Sequence, residues 1–326
     1  MAQNATRYVA AVDLGGTKTL AAVVAPDGHV IARHKARTPA RQGEERALET
    51  IAVCVERAIE ASGLPARRIE AVGIGLPGPL DPDAGIVKIA PNLGWVNVPV
   101  KETLEARLRK PVFIENDANA GALGEHRFGA GVGVSEMLGI FVGTGIGGGI
   151  ILDGRLYHGF GKVAGEIGHM IVQVKGPKCG CGNRGCLEAL ASRLAIVRDL
   201  TEAIAEGRKT ILTKMMSAKK LHAIRSSLLA EAFHKGDKLT VKVIKRAANF
   251  CGAGVASLLN LLNPEMVVLG GGVVEALGED FVDLVARAAR KCTFEVTFEG
   301  VRIVPAKLKD DAVLLGAACV AFDRLG

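Results

Sequence analysis

Short apolar runs closed by glycine turns alternate along this chain with longer segments whose apolar residues fall at helical spacing. Residues 7–12 (RYVAAV) and 19–25 (TLAAVVA) predict two strands joined by the turn DLGGTK at 13–18, with Pro26-Asp27-Gly28 closing the second. From Glu44 to Ser62 the apolar positions keep a helical period and stop at Gly63, a natural C-cap. AVGIGLPGPLD (71–81) predicts a strand entering a Gly-Pro loop, and Pro91 to Trp95 a second loop. KETLEARLRK (101–110) predicts a helix, and PVFIE (111–115) a short buried strand. That strand delivers Asn116-Asp117-Ala118-Asn119 to its carboxyl end, where the helix DANAGALGEHRF begins. Further helices are expected over Leu187–Ala205 and Val241–Leu262, then a strand running into Gly270–Gly272. A last helix, Ala312–Phe322, is expected to return to the first domain.

One pattern occurs twice. MLGIFVGTGIGGGIILDG (137–154) reads as a second glycine-tipped hairpin, with Gly143, Gly145 and Gly147 lying 130 residues after Asp13, Gly15 and Thr17. Two such hairpins, each opening an α/β unit, predict two similar domains facing across a cleft. The expected division is residues 1–116 with the closing helix 312–326, against residues 117–311.

Composition narrows the class. The 326 residues are 49% hydrophobic but only 4% aromatic, so the interior must be Ala, Val, Ile and Leu, the usual filling of helix-covered parallel sheets. No apolar run reaches the roughly 18 residues needed to cross a bilayer, and the start of the chain enters a strand rather than a signal peptide, so a cytoplasmic protein without membrane contact is expected. The net charge of +7 is local. Residues 198–246 hold 12 Lys or Arg against 5 Asp or Glu, and the remainder is balanced. The surplus falls in a helical insert at 205–240 whose basic residues interleave with Leu, Ile and Met, which favours a solvated face or a subunit contact over a nucleic-acid surface. Cys54, Cys251, Cys292 and Cys319 lie in apolar periodic segments and read as reduced core residues.

The candidate chemistry sits in the turns. Gly15 and Gly16 remove side chains so that backbone N–H groups can approach an anion, Thr17 and Lys18 add a hydroxyl and a cation, and Asp13 makes sense in the same turn if the anion arrives with Mg2+. A tight hairpin alone would also use the two glycines. In the second tip Thr144, beside Gly145, is the hydroxyl assigned to a terminal phosphate. Asp117 stands at the carboxyl end of a strand, where open α/β sheets bind ligands, or serves only as a helix N-cap. Gly271 and Gly272 offer bare backbone either to a flat adenine and ribose or to close packing.

The densest stretch is Gly165–Glu188, GEIGHMIVQVKGPKCGCGNRGCLE. His169, Cys179, Cys181 and Cys186 form H-x9-C-x-C-x4-C, a donor set suited to a closed tetrahedral Zn2+ site of structural type. The alternatives are buried free thiols or a disulfide, but a Cys-x-Cys pair bonds to itself only with strain.

DLGGTK, GIGLPG, ENDANAGALGE, GTGIGGG, GEIGH, CGCGNRGCLE and VVLGGGV follow one another in the order found in the ROK family of sugar kinases and repressors. The whole chain resembles this family and is nearest in pattern to its bacterial glucokinases. The resemblance implies an actin-like, hexokinase-type ATPase fold, two domains of βββαβα units. It also implies ATP-dependent phosphorylation of a hexose 6-hydroxyl, with glucose as the expected acceptor and fructose, N-acetylglucosamine or N-acetylmannosamine as alternatives. On the matching positions, Asp117 is similar to the family's general base, and Asn116, Glu166, His169 and Glu188 to its sugar-binding groups, with Gly78 and Asn92 as contacts from facing loops. His169 is then expected to place one ring nitrogen on zinc and offer the other to a sugar hydroxyl, and the protein to be a homodimer or homotetramer. A sugar-sensing repressor of the same family needs a DNA-binding domain ahead of this body, which the start of the first strand near residue 7 argues against. Two departures bear on assembly and nucleotide preference: Arg193 stands where many members have glycine, and the basic insert is longer than the family pattern.

Overall fold

The computed structural model describes residues 7–216 and 223–326; residues 217–222 of the predicted basic insert lie outside the described residues. The first hairpin is β1 (Tyr8–Leu14) and β2 (Lys18–Val24), so Asp13 and Lys18 belong to strands and only residues 15–17 form the turn. The third strand, β3 (Val30–Arg37), pairs antiparallel with β2, and α1 (Glu44–Ser62) crosses over to β4 (Ile69–Leu76), parallel to β1. A small sheet of β5 (Leu80–Asp81), β6 (Ile86–Ala90) and β7 (Trp95–Val98) is inserted before α2 (Val100–Leu108) and β8 (Val112–Asn116). The resulting sheet has the order β3-β2-β1-β4-β8.

The second unit repeats this. Strands β9 (Met137–Val142), β10 (Ile146–Leu152) and β11 (Arg155–Leu156) give the antiparallel half, and β12 (Met266–Gly270) and β13 (Arg302–Pro305) the parallel half, in the order β11-β10-β9-β12-β13. The predicted 130-residue repeat is therefore a repeat of sheet topology, third-second-first-fourth-fifth in both units. The inner strands β1, β2, β4, β9 and β12 bury Val, Ile, Leu and Ala on both faces, as strands covered by helices must, whereas the edge strand β3 alternates between half-buried and exposed positions.

Each unit ends in a helix, α3 (Asp117–Phe128) after β8 and, at the chain's end, Ala312–Leu325. These two helices pack on one another and are exchanged between the sheets. The first lies against β9 and β10, the last against β1 and β4. Small residues allow the close crossing, since a methyl at Gly316 would sit 1.6 Å from the Ala120 carbonyl oxygen, and one at Gly124 would sit 2.2 Å from that of Ala312.

Between β11 and β12 the chain forms α4 (Leu187–Ala191), α5 (Arg193–Ala205), α6 (Leu212–Met215), α7 (Ser226–His234) and the 25-residue α8 (Lys238–Leu262). The single helix expected over 187–205 is thus broken at Ser192. Its backbone is extended and its hydroxyl accepts from Ala195 N, capping α5, because serine competes for backbone partners and favours caps over helix interiors. After β12 come α9 (Gly272–Leu277), α10 (Glu279–Cys292), α11 (Glu295–Phe298) and, closing the chain, α12 (Ala312–Leu325). Cys54, Cys251 and Cys319 are buried free thiols as expected, but Cys292 is exposed, since the last turn of α10 turns that position to solvent.

Candidate functional site

Asp117 opens α3 but does not cap it. Asn116 takes that role, its Oδ1 accepting from Ala118 N at 2.9 Å and Asn119 N at 3.2 Å, while its Nδ2 donates to the Gly78 carbonyl at 3.3 Å. The cap requirement is met one residue earlier, so the Asp117 carboxylate needs only one backbone N–H, that of Ala118 at 2.8 Å. Burial in surrounding protein pushes Asp117 up to about 6; the Ala118 N–H opposes this, and the charges of Asp13 and Glu166 add to it. Asp13 is likewise raised to about 6 by burial, offset by Lys18 and reinforced by Asp310. Three carboxylates from separate segments, the end of β1, the start of α3 and the loop after β11, thus act on one region.

The first hairpin tip is braced from behind. The buried Thr38 donates its hydroxyl to the Gly15 carbonyl at 2.7 Å, and its N–H donates to the Thr17 carbonyl at 3.0 Å. Gly16 and Thr17 are exposed, and Asn92, from the loop after β6, lies beside Gly16. In the second tip Thr144 is exposed, and Gly145 leaves room for Glu188, since a Cβ there would fall 2.2 Å from Glu188 Oε2 and displace the carboxylate. Glu188 lies close because that oxygen accepts from Ile146 N at 3.0 Å. Among the described residues no hydrogen bond or ion pair joins the two tips.

The histidine and cysteines converge. The ligand atoms of His169, Cys179, Cys181 and Cys186 all lie within 4.8 Å of one another. Cys181 Sγ is 3.6 Å from Cys186 Sγ, and Cys179 Sγ is 3.7 Å from His169 Nδ1. A tetrahedral metal with thiolates at about 2.3 Å sets ligand-to-ligand edges of roughly 3.7 Å, so the four groups fit one ion. With Nδ1 on the cysteine side, His169 turns Nε2 toward Glu166, whose Oε2 is 3.9 Å away. Glu188 Oε1 lies 3.7 Å from Cys179 Sγ and joins this cluster to the second hairpin.

Gly271 is closely packed on the first strand of the second hairpin. Its φ is +84°, and a Cβ would lie 2.8 Å from the Val142 main chain. Gly272 is freer, with Ser226 Oγ at 3.6 Å from its Cβ position.

Some residues escaped sequence reasoning. The buried Glu115 accepts from Asn116 N and Asn119 Nδ2 and pairs with His158 Nε2 at 2.7 Å, which ties the loop carrying Glu166 to the strand that leads into Asp117. An acid at the inner end of an apolar strand was its only signal. Thr38 lies in no motif, and Arg193, noticed only as a departure, touches Thr144. A cavity of about 410 Å³ behind β8, lined by Phe113, Glu115, Leu123, Arg127, His158 and Arg324 among others, contains none of the predicted site residues.

Comparison with known proteins agrees with this architecture. The ROK family model matches residues 9–324. A glucokinase of Thermotoga maritima is 36% identical over 323 residues, 97% of each chain, and a xylose repressor of Caldicellulosiruptor bescii is 34% identical over 90% of this chain and 72% of its own. The crystal structure of a ROK family glucokinase from Streptomyces griseus in complex with glucose and AMPPNP superposes with a TM-score of 0.83 at 37% identity, covering 98% of this chain and 100% of that one. The fold is the actin-like, hexokinase-type ATPase fold. The chain belongs to the ROK family.

Proposed function

We propose that this protein phosphorylates the 6-hydroxyl of a hexose with ATP, and that glucose is the preferred acceptor. The observation that carries the reading is Asp117: a carboxylate relieved of capping duty, raised to about 6 yet mostly ionised at pH 7, on the same region as Asp13 and Glu166. The glucokinase relatives and the glucose and AMPPNP complex of a 37% identical structure support the substrate pair.

In this mechanism Asp117 accepts the proton of the sugar hydroxyl as its oxygen bonds to the γ-phosphorus and the bond from phosphorus to the ADP oxygen breaks. Such a base contributes typically 10² to 10⁴-fold. Glu166, Glu188 and His169 Nε2 hold the remaining hydroxyls, with Asn116, Gly78 and Asn92 lining the facing side. Lys18, Thr17, Thr144 and the glycine backbone at 15, 16 and 145 hold the phosphates, and Gly272, with Gly271 behind it, borders the nucleoside. Asp13 is the group that would hold Mg2+, which when bound neutralises phosphate charge. Zn2+ is the metal that best suits one imidazole and three thiolates; when bound it fixes the His169 ring plane and makes Nε2–H a rigid donor. The two units, 1–116 with 312–326 and 117–311, act as lobes that exclude water on closing.

The repressor relatives leave a sugar sensor as the second reading. An ADP-release assay with Mg-ATP across glucose, mannose, fructose, allose, N-acetylglucosamine and N-acetylmannosamine separates the two. Turnover with glucose at the highest kcat/KM is expected, and no turnover with any hexose would sink the kinase reading.

A further inference from the structure

Arg193 occupies the first position of α5, where the break at Ser192 redirects the chain toward the second hairpin. Its backbone N–H donates to the Gly143 carbonyl at 2.9 Å. Its Nη2 donates to Thr144 Oγ1 at 2.9 Å, and its Nη1 to the Ile224 carbonyl at 3.1 Å. A guanidinium carries five N–H donors, and among the described residues two of its nitrogens are engaged in this way. Among the described residues no carboxylate lies within ion-pair distance of it. An arginine held by neutral acceptors at the rim of a glycine-tipped hairpin keeps its charge available for an anion.

The contact with Thr144 has a second effect. A hydroxyl has one proton to give, and accepting from Arg193 leaves the Thr144 proton free to point at an incoming oxygen. Ile224 and Ser226 belong to the insert, and Ser226 Oγ faces Gly272. Arg193 therefore joins the hairpin tip to the wall of the insert at the place proposed above for the nucleotide.

We infer that Arg193 is a phosphate-binding and specificity-determining residue, reading the β- and γ-phosphates of the donor together with Thr144. The inference rests on the kinase reading for its meaning but is tested separately, by nucleotide binding. Charge-assisted hydrogen bonds of this kind change affinity roughly 10- to 100-fold. The experiment is calorimetry of wild-type, R193A and R193K protein with adenosine, AMP, ADP and the Mg2+ complex of AMPPNP, alongside glucose kinetics. In R193A, AMPPNP affinity is expected to fall at least tenfold, ADP less, and AMP and adenosine within twofold, with the KM for glucose unchanged; R193K restores part of the loss. A purely structural link between insert and hairpin predicts otherwise: all four ligands weaken alike and R193K, lacking the fork, does not recover. That pattern, or unchanged affinity for all four, overturns the inference. A wild-type protein that binds the nucleotides in this graded way but phosphorylates no hexose would sink the kinase reading and leave the role of Arg193 standing.

Discussion

Asn116 and Asp117 differ by one position along the chain and divide two jobs that the sequence left open at Asp117. The asparagine satisfies the orphan N–H groups of α3, and the aspartate is left with an unfavourable charge in surrounding protein. Its folded pKa lies above the usual 3.8, so the folded state holds the proton more tightly than the unfolded state. Stability is then greatest below about pH 4 as far as this group is concerned, and is lost as pH rises toward 6. Asp117→Asn is therefore expected to raise the thermal midpoint at pH 7 to 8, an advantage of about 1–3 kcal/mol that vanishes below pH 4, while lowering kcat by 10² to 10⁴-fold. Thermal melts across pH and coupled kinetics read both halves; an unchanged kcat removes Asp117 from the base role. In the wild type, kcat/KM should climb through about pH 6 and level off, with Asp13 titrating in the same range. The candidate metal ligands were legible as spacing alone, because Cys-x-Cys with a nearby third cysteine has few other uses. Which imidazole nitrogen faces the sulfurs was not, since ring orientation depends on the 3-10 turn at Ile167–His169 and the loop that closes over it. Stripping the metal with a thiol-competitive chelator should raise the KM for sugar severalfold before it changes nucleotide affinity. Equal loss of both would separate the metal from the sugar wall.

At the scale of elements, the close crossing of α3 and α12 is what presents Asp117. Gly316→Ala places a methyl 1.6 Å from a carbonyl oxygen in that crossing, so the helices must separate. Overpacking of this sort costs typically 1–3 kcal/mol. Because α3 carries the proposed base at its first position, kcat should fall several-fold while the KM for nucleotide holds. A variant with native melting temperature and native kcat would show that the crossing tolerates the methyl and does not govern the site. The glycines of this crossing gave no sign in the sequence, lying among alanines in apolar helices. By contrast, α1 was legible to the residue, from Glu44 to its left-handed cap at Gly63, because period and cap are local properties. The helix over 187–205 was misjudged for the converse reason. Nothing local requires a break at Ser192, and the Gly143 carbonyl that rewards it comes from the second hairpin.

Over the whole molecule, two sheets of one strand order exchange their closing helices, each helix seated on the sheet of the other unit. Asp83, on the turn between β5 and β6, links Lys162 of the loop bearing Glu166 to Arg324 near the end of α12, and both cations hold its carboxylate down to about 2. If the units are lobes, glucose should contract the particle; small-angle scattering is expected to give a smaller radius of gyration with glucose than with buffer, and no change would argue against closure. The sequence by itself determined the repeat, the hairpins, the metal-ligand set and most elements, because periodicity, glycine turns and ligand spacing are written over a few neighbouring residues. Only the tertiary structure decided that Asn116 and not Asp117 is the cap, that Gly271 is packed, that Glu115 and His158 fasten the loop carrying Glu166, and that Arg193 reaches Thr144. The last three depend on a partner from a distant segment, and the first on which of two adjacent side chains the end of β8 turns toward the Ala118 and Asn119 N–H groups, so the folded chain alone sets them.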